Sequence, residues 1–200
     1  IYNGEEITNS IISIGDEIKL FQRYDKRHLL PFGEFIPEFF RKFGWYGLAS
    51  GLVNFKTGNK TRTFKVSNTA QFDAAICYEI AFPGKIMDSH NSAWILNITN
   101  DSWFKDTDGP SQHLRITCFR AIEEGRAIAR CANNGISAII DCHGRIIKKL
   151  DTDKIGIIKY KMPLKYHETI YARYGNWIIL FLIIVLLSVI IVSKFKKQNL

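Results

Sequence analysis

Cys77 sits in the run Phe72-Asp73-Ala74-Ala75-Ile76-Cys77-Tyr78-Glu79, at the end of a stretch that reads as a buried β-strand. About fifty residues upstream lies Tyr24-Asp25-Lys26-Arg27-His28-Leu29-Leu30-Pro31-Phe32-Gly33-Glu34-Phe35, dense in charge, proline and glycine. A thiolate nucleophile needs a lowered pKa or a nearby base, and a cation or donor for the oxyanion it creates. Lys26 can supply that cation. A Cys–His pair with His28 or His113 is the alternative arrangement. A serine route has no support: G-x-S-x-G is absent, and Gly47-Leu48-Ala49-Ser50-Gly51 has the wrong spacing. Gly58-Asn59-Lys60-Thr61 lacks the glycine frame of a P-loop. A thiol served by lysine, followed by an apolar C-terminal segment, narrows the chemistry to acyl transfer or amide hydrolysis at a membrane surface.

These residues need elements to hold them. Residues 7–14 and 17–24 read as two strands around Gly15-Asp16, a hairpin signal. From Pro31 to Asn68 the chain is rich in glycine and aromatics (Phe32, Phe35, Phe39, Phe40, Phe43, Trp45, Tyr46), which predicts a long loop with a short helix. Such a segment suits a lip over a lipid site or the core of an aromatic subdomain. Residues 72–80 and 93–99 are strand candidates, with a short helix between Pro83 and Asn91. A longer helix is expected from Ser111 to Arg130, with Leu114, Cys118, Ile122, Gly125 and Ala129 on one face. Arg115, Arg120, Glu123, Glu124 and Arg126 crowd the rest, and Arg120 is spaced to pair with Glu124. Asn133-Asn134-Gly135 and His143-Gly144 turn the chain into strands 136–141 and 145–150, and 155–161 forms a last strand. Strands, helix, strands is the order of an α/β or α+β layered domain.

At 200 residues and 46% hydrophobic, the chain is long and apolar enough for one globular core. Its net charge of +8 is scattered, without the basic patch and interleaved aromatics that nucleic acid requires, so anionic lipid is the better partner. Cys77, Cys118, Cys131 and Cys142 form no C-x-x-C and no zinc-ligand pattern, so no metal or organic cofactor is expected. Three of them read as buried apolar fillers, with a Cys118–Cys131 or Cys131–Cys142 bridge left open. The first residue is Ile and no signal peptide precedes the first strand, so the chain reads as a fragment, a processed product or the distal half of something longer.

From Trp177 to Val192 Ser188 is the only polar residue. That run makes about 24 Å of helix, slightly short of a ~30 Å hydrocarbon core, and its flanks can supply the rest. Tyr171, Tyr174 and Trp177 form an aromatic belt at one end, and Lys194, Lys196 and Lys197 mark the other. The expected division is a catalytic domain over 1–168, a linker with aromatic anchor over 169–176, a transmembrane helix over 177–193 and a basic tail over 194–200. The positive-inside rule puts that tail in the cytoplasm and the main domain outside, in the periplasm of a bacterium.

Taken together, Lys26 with His28-Leu29-Leu30-Pro31-Phe32-Gly33-Glu34, Ile76-Cys77-Tyr78-Glu79 and Asn100-Asp101-Ser102-Trp103-Phe104 resemble the nitrilase (carbon–nitrogen hydrolase) superfamily, and within it the apolipoprotein N-acyltransferase branch. Gly109-Pro110-x-Gln112-His113, Arg120-Ala121-Ile122-Glu123, Arg130-x-x-Asn133-Asn134-Gly135 and Tyr171-Ala172-Arg173-x-Gly175-Asn176-Trp177 follow in the same order. The resemblance implies an α-β-β-α sandwich with a Glu-Lys-Cys triad. On it, Cys77 is the nucleophile that takes an acyl group from a phospholipid as a thioester, and Lys26 steadies the oxyanion and the thiolate. Glu34, Tyr78, Glu79 and Trp103 match accessory or substrate-binding positions. The acceptor is then the amine of a diacylglyceryl-cysteine lipoprotein, at the bacterial inner membrane.

The chain departs from the pattern at its start. The general-base glutamate and the first strands lie before the lysine in this family, whereas Glu5, Glu6 and Glu17 are too close to Lys26 to be assigned. Losing a general base costs about 10²–10⁴-fold, so the chain alone is expected to be weak or inactive, with an N-terminally incomplete sandwich and exposed sheet edges. A separate chain carrying the N-terminal half would complete it. The rival readings are a non-catalytic remnant that binds lipid or a partner subunit, and a nitrilase-type amidase. A membrane segment argues against the amidase.

Overall fold

Every residue from Phe72 to Ile76 is buried, the mark of a strand covered on both faces, and the other elements are arranged around it. The computed structural model describes residues 2–3, 6–15, 20–44, 55–66, 68–104, 106–164 and 168–198. Asp16, Glu5, Glu17, Trp45, Tyr46 and the Gly47–Gly51 run lie outside the described residues, as do the side chains of Glu6, Lys196 and Lys197.

In chain order the strands are β1 (Tyr2–Asn3), β2 (Glu6–Ile7), β3 (Ser10–Ile14), β4 (Leu20–Asp25), β5 (Thr63–Phe64), β6 (Phe72–Ile76), β7 (Trp94–Asn100), β8 (Ala127–Asn133), β9 (Ser137–Ile140) and β10 (Ile146–Leu150). The helices are α1 (Glu38–Lys42), α2 (Gly109–Glu124), α3 (Ile170–Tyr174) and α4 (Trp177–Gln198), with single 3₁₀ turns at Cys77–Ala81 and Ser102–Phe104. Six strands form one sheet in the order β10-β9-β8-β7-β6-β5. β6, β7 and β8 run parallel and the outer strands antiparallel. α2 is the crossover between β7 and β8.

The two faces of this sheet carry different partners. Ala75, Ile95, Ile128, Ala138 and Ile140 pack with Leu114 and Ala121 of α2. Phe64, Phe72, Ala74 and Ile76 pack with Tyr24 of the β3–β4 hairpin, which forms a separate antiparallel sheet. Helix, sheet and hairpin stack as the layers of an α/β fold.

Several local expectations are corrected. The helix placed over 111–130 ends at Glu124, where Gly125 takes φ +63° and caps it. Ala127–Arg130 then joins β8, because pairing with β7 outweighs the helical propensity of an Ala-Ile-Ala-Arg run. The buried side of α2 is Pro110, His113, Leu114, Thr117, Arg120, Ala121 and Glu124, so Ile122 points outward while two charged residues expected outside lie inside. Arg120 pairs with Glu123, not Glu124. Burial pushes the Glu124 carboxyl up, and the Glu123 charge adds to it. The strand expected over 72–80 stops at Ile76, residues 83–91 form turns instead of a helix, and 155–161 lies in no strand, with Ile155 and Ile157 in solvent. The stretch read as a linker over 169–176 holds α3, capped by Thr169. All four cysteines are free thiols; Cys142 alone is fully buried and Cys131 is exposed.

The segment expected to cross a membrane over 177–193 is helical, as part of α4. Among the described residues, however, no helix is long and apolar enough to cross a membrane. The apolar run whose side chains are described, 177–191, makes about 22 Å of helix, short of a ~30 Å core. Its side chains, Trp177, Phe181 and Leu186 among them, stand in solvent.

Candidate active site

Strand alternation would aim Cys77 at α2, since Ala75 faces that side and Ala74 and Ile76 face the hairpin. Instead Cys77 takes φ +52°, the strand ladder ends, and its side chain packs against the cluster that contains Tyr24. A left-handed backbone costs a non-glycine residue about 1–2 kcal/mol, so it persists only where the surroundings over-determine it.

Glu79 supplies that restraint. One carboxylate oxygen accepts the Ile76 N–H at 2.8 Å, on the strand side of the elbow. The other accepts the Tyr24 hydroxyl at 2.7 Å and the backbone N–H groups of Arg27 and His28 at 2.9 and 3.1 Å. One buried carboxylate therefore ties the strand end before Cys77 to the segment that follows Lys26. Arg62, fully buried, lies 3.8 Å from Glu79 and stacks over the Tyr24 ring at 5.2 Å, so the carboxylate has a counter-charge. Burial pushes the Tyr24 phenol up, which keeps it a proton donor to Glu79.

Lys26 continues the Gln22, Tyr24, Lys26 alternation beyond β4 and is 1% exposed. Its Nζ donates to Glu34 Oε2 at 2.7 Å. Glu34 is held in turn by the Leu30 N–H at 2.8 Å and the Asn9 amide at 2.9 Å. An ammonium has three donors, and the two not given to Glu34 can meet a substrate oxygen. Close backbone packing supports the segment: the Gly58 N–H donates to the Lys26 carbonyl at 2.9 Å, and a Cβ on Gly58 would come within 2.2 Å of the Asp25 carbonyl oxygen. Only glycine fits there.

The structure thus ties Glu79 both to the strand end before Cys77 and to the backbone after Lys26, and pairs Lys26 with Glu34. Tyr78 is half-buried, its ring edge-on to Phe82 at 5.6 Å. Trp103 projects into solvent from the Ser102–Phe104 turn, 76% exposed. The histidines are otherwise engaged. His28 stacks near Phe82 with its Nδ1 3.9 Å from Glu79, and burial pulls its imidazole below the ordinary value. His113 Nδ1 is bonded to Asp101 at 2.9 Å. Tyr24 and Arg62 were given no role by the sequence, and Asp101, Arg130 and His113, quoted there in separate motifs, form one buried group. Only Tyr24 carried a local signal, its place two residues before Lys26 in an alternating strand. Among the described residues no cluster of three or more His, Cys, Asp or Glu side chains could hold a metal ion.

A thiol on a strained elbow, strapped by Glu79 to a segment that carries a buried lysine–carboxylate pair, on an α/β fold, defines a class. A sequence model of the carbon–nitrogen hydrolase family matches residues 2–171, and the chain belongs to that family. Solved structures agree in fold: a branch 10 member of the nitrilase superfamily from Saccharomyces cerevisiae aligns with TM-score 0.53 at 18% identity, over 74% of this chain and 50% of that one. An amidase of the superfamily from Nesterenkonia AN1 gives 0.54 at 16% identity, over 76% and 54%.

Among named relatives, the chain is similar to the apolipoprotein N-acyltransferase of Rhodopseudomonas palustris, 36% identical over 197 residues, 96% of this chain and 37% of the relative. The apolipoprotein N-acyltransferase of Rickettsia typhi is 40% identical over 173 residues, 86% of this chain and 34% of the relative. The chain therefore spans about a third of the length of these relatives.

Proposed function

We propose that this chain carries the thiol half-site of an apolipoprotein N-acyltransferase. The observation that carries the reading is Cys77 at positive φ, linked through Glu79 to the Lys26 segment, in a chain related to enzymes of that name. In the first half-reaction Cys77 Sγ attacks the ester carbonyl of a phospholipid acyl chain. Lys26 Nζ, steered by Glu34, donates to the developing oxyanion. Collapse breaks the ester C–O bond and leaves a thioester, with the thiol's proton passing to the departing lysophospholipid oxygen. In the second half-reaction the N-terminal amine of a diacylglyceryl-cysteine lipoprotein attacks the thioester, an amide forms and the thiol is restored. Two substrates using one thiol in turn predict ping-pong kinetics. Glu79 acts as the support of the elbow, and Tyr78 and Trp103 belong to the substrate side of the site.

The membrane enters the same proposal. α4, lengthened by Val192 and its flanks, seats in the bilayer of a bacterial inner membrane, with the Lys194 end cytoplasmic and the sheet domain periplasmic. Support comes from the root of α4, where Lys85, Tyr171, Tyr174, Trp177 and Leu180 line a cleft of about 450 Å³ that joins a cation and aromatics to apolar surface. On this reading the chain stays in the membrane pellet after an alkaline carbonate wash, and a variant ending before Trp177 is released; extraction of the uncut chain would refute it.

The central test is intact-mass analysis of the membrane-reconstituted protein after incubation with phospholipid. The expected result is a mass increase of one acyl chain, removed by hydroxylamine and absent from Cys77→Ala. An amide turnover without any lipid adduct would favour the amidase reading; an adduct formed only once an upstream glutamate-bearing segment is supplied would make the chain half of a split enzyme, and no signal under either condition would favour a binding remnant.

A further inference from the structure

A third residue grips the lysine–carboxylate pair, and the proposed mechanism does not use it. Asn9 lies one position before β3, and the register that sets Ser10 opposite Asp25 places it directly across from Lys26. Its backbone carbonyl accepts the Lys26 N–H at 2.8 Å, and its side-chain amide donates to Glu34 Oε1 at 2.9 Å. One residue therefore touches both members of the pair.

Its neighbours fix Asn9 in place. The Thr8 and Ser10 hydroxyls are bonded to each other at 2.9 Å, and Ser10 donates to Asp25 Oδ1 at 2.5 Å. Arg23 joins them, with Nε on Asp25 at 2.7 Å and Nη2 on Thr8 at 2.9 Å. This polar cluster takes one face of the hairpin. Strand alternation turns Asn9 and Lys26 to the other, the face of Ile11 and Tyr24 that packs on the main sheet.

The bonds divide the Glu34 carboxylate. Oε2 accepts Lys26 Nζ at 2.7 Å and the Leu30 N–H at 2.8 Å, whereas Oε1 has Asn9. A carboxylate held at one oxygen can still pivot about it, and Leu30 shares the oxygen that the lysine uses. Asn9 is the second point of attachment that fixes the plane. We propose that Asn9 is a positioning residue: it locks Glu34 and, through Glu34, sets the direction in which Lys26 offers its remaining N–H bonds to a substrate oxygen. This rests on Lys26 being the oxyanion donor, but the placement of Lys26 can be read without turnover.

The test is trace labelling of the Lys26 amine by acetic anhydride, mapped on the segment that carries Tyr24 and Lys26 in the membrane-reconstituted protein. In Asn9→Leu, which keeps a branched side chain without a donor, the part-exposed Glu34 turns toward water and loosens its hold on the amine. Labelling of Lys26 is expected to rise about ten-fold, the low end for a hydrogen bond to a charged group. Asn9→Gln, which keeps the amide, should recover part of the protection. The fold should hold, because the Asn9 carbonyl still takes the Lys26 N–H and the polar cluster is untouched. The buried Tyr24 phenol should therefore stay unlabelled. Thioester formation should slow in Asn9→Leu, and Asn9→Leu/Lys26→Met should be no slower than Lys26→Met alone, since one residue acts through the other. Unchanged Lys26 labelling, or Lys26 and Tyr24 unmasked together, would overturn the proposal. A thioester absent from every variant would count against acyl transfer and leave the labelling result standing.

Discussion

Glu79→Ala unfolds or severely weakens the domain and abolishes the acyl thioester. The carboxylate accepts from Tyr24, Arg27, His28 and Ile76, and it faces the buried guanidinium of Arg62. Truncation leaves these donors without an acceptor and Arg62 with Asp88, 3.6 Å away, but without Glu79. Breaking a buried charge pair from one side costs about 3–5 kcal/mol, a large part of the stability of any single domain. The positive φ of Cys77 loses its restraint in the same step, so the elbow relaxes and the thiol swings from the Lys26 side. Denaturant unfolding and the hydroxylamine-labile adduct are the two readouts. Glu79→Gln, which keeps the volume and one acceptor oxygen, should recover part of the stability and little of the chemistry. If Glu79→Ala unfolds at the unaltered midpoint, the anchoring role is wrong.

Lys26→Met separates chemistry from folding. The methylene stem is replaced by one of similar volume, and Glu34 keeps its bonds from Asn9 and Leu30 and its partial exposure to water. The fold should therefore survive. Removing one oxyanion donor costs about 10²–10³-fold in rate, and the thioester should form that much more slowly from the same phospholipid. Time-resolved intact mass on reconstituted protein measures it, with thermal unfolding alongside. A rate within a few-fold of the unaltered chain would mean that another donor meets the oxyanion.

The contrast between these two carboxylates shows where local reading stops. Glu34 lies eight residues beyond Lys26, and its bonds to Lys26 Nζ and to the Leu30 N–H stay within one tight segment. Its place near the lysine is legible from residue order. Glu79 stands more than fifty residues from Tyr24, Arg27 and His28, and nothing local to either segment says that one oxygen takes all three donors. The family resemblance marked Glu79 as an accessory position, while its work as a strap between two segments belongs to the assembled fold.

α2 and β8 carry the same lesson. Arg120, Glu124 and Arg126 look like the wet side of a helix that runs on to residue 130, because charge and helical propensity are what a window of residues contains, yet all three are buried. Beyond them, pairing with β7 pulls Ala127–Asn133 into the sheet, and Asn97 with neighbouring Asp101 receives Arg130. Ile122, apolar and in the expected stripe, is left outside.

By itself the sequence determined the properties that reside in residue type and short spacing. These are a thiol at a strand end, a lysine in a charged turn with a carboxylate eight residues on, the β3–β4 hairpin, and an apolar helix over 177–193, which the structure extends to Gln198. Tertiary structure alone decided which way Cys77 faces, which carboxylate straps it to the lysine segment and which partners hold the buried Arg130. The physical reason is that a left-handed cysteine and a buried guanidinium are each unfavourable in isolation. Each is held only by partners, Glu79 for the elbow and Asp101 with Asn97 for Arg130, that distant parts of the chain deliver once the sheet has formed.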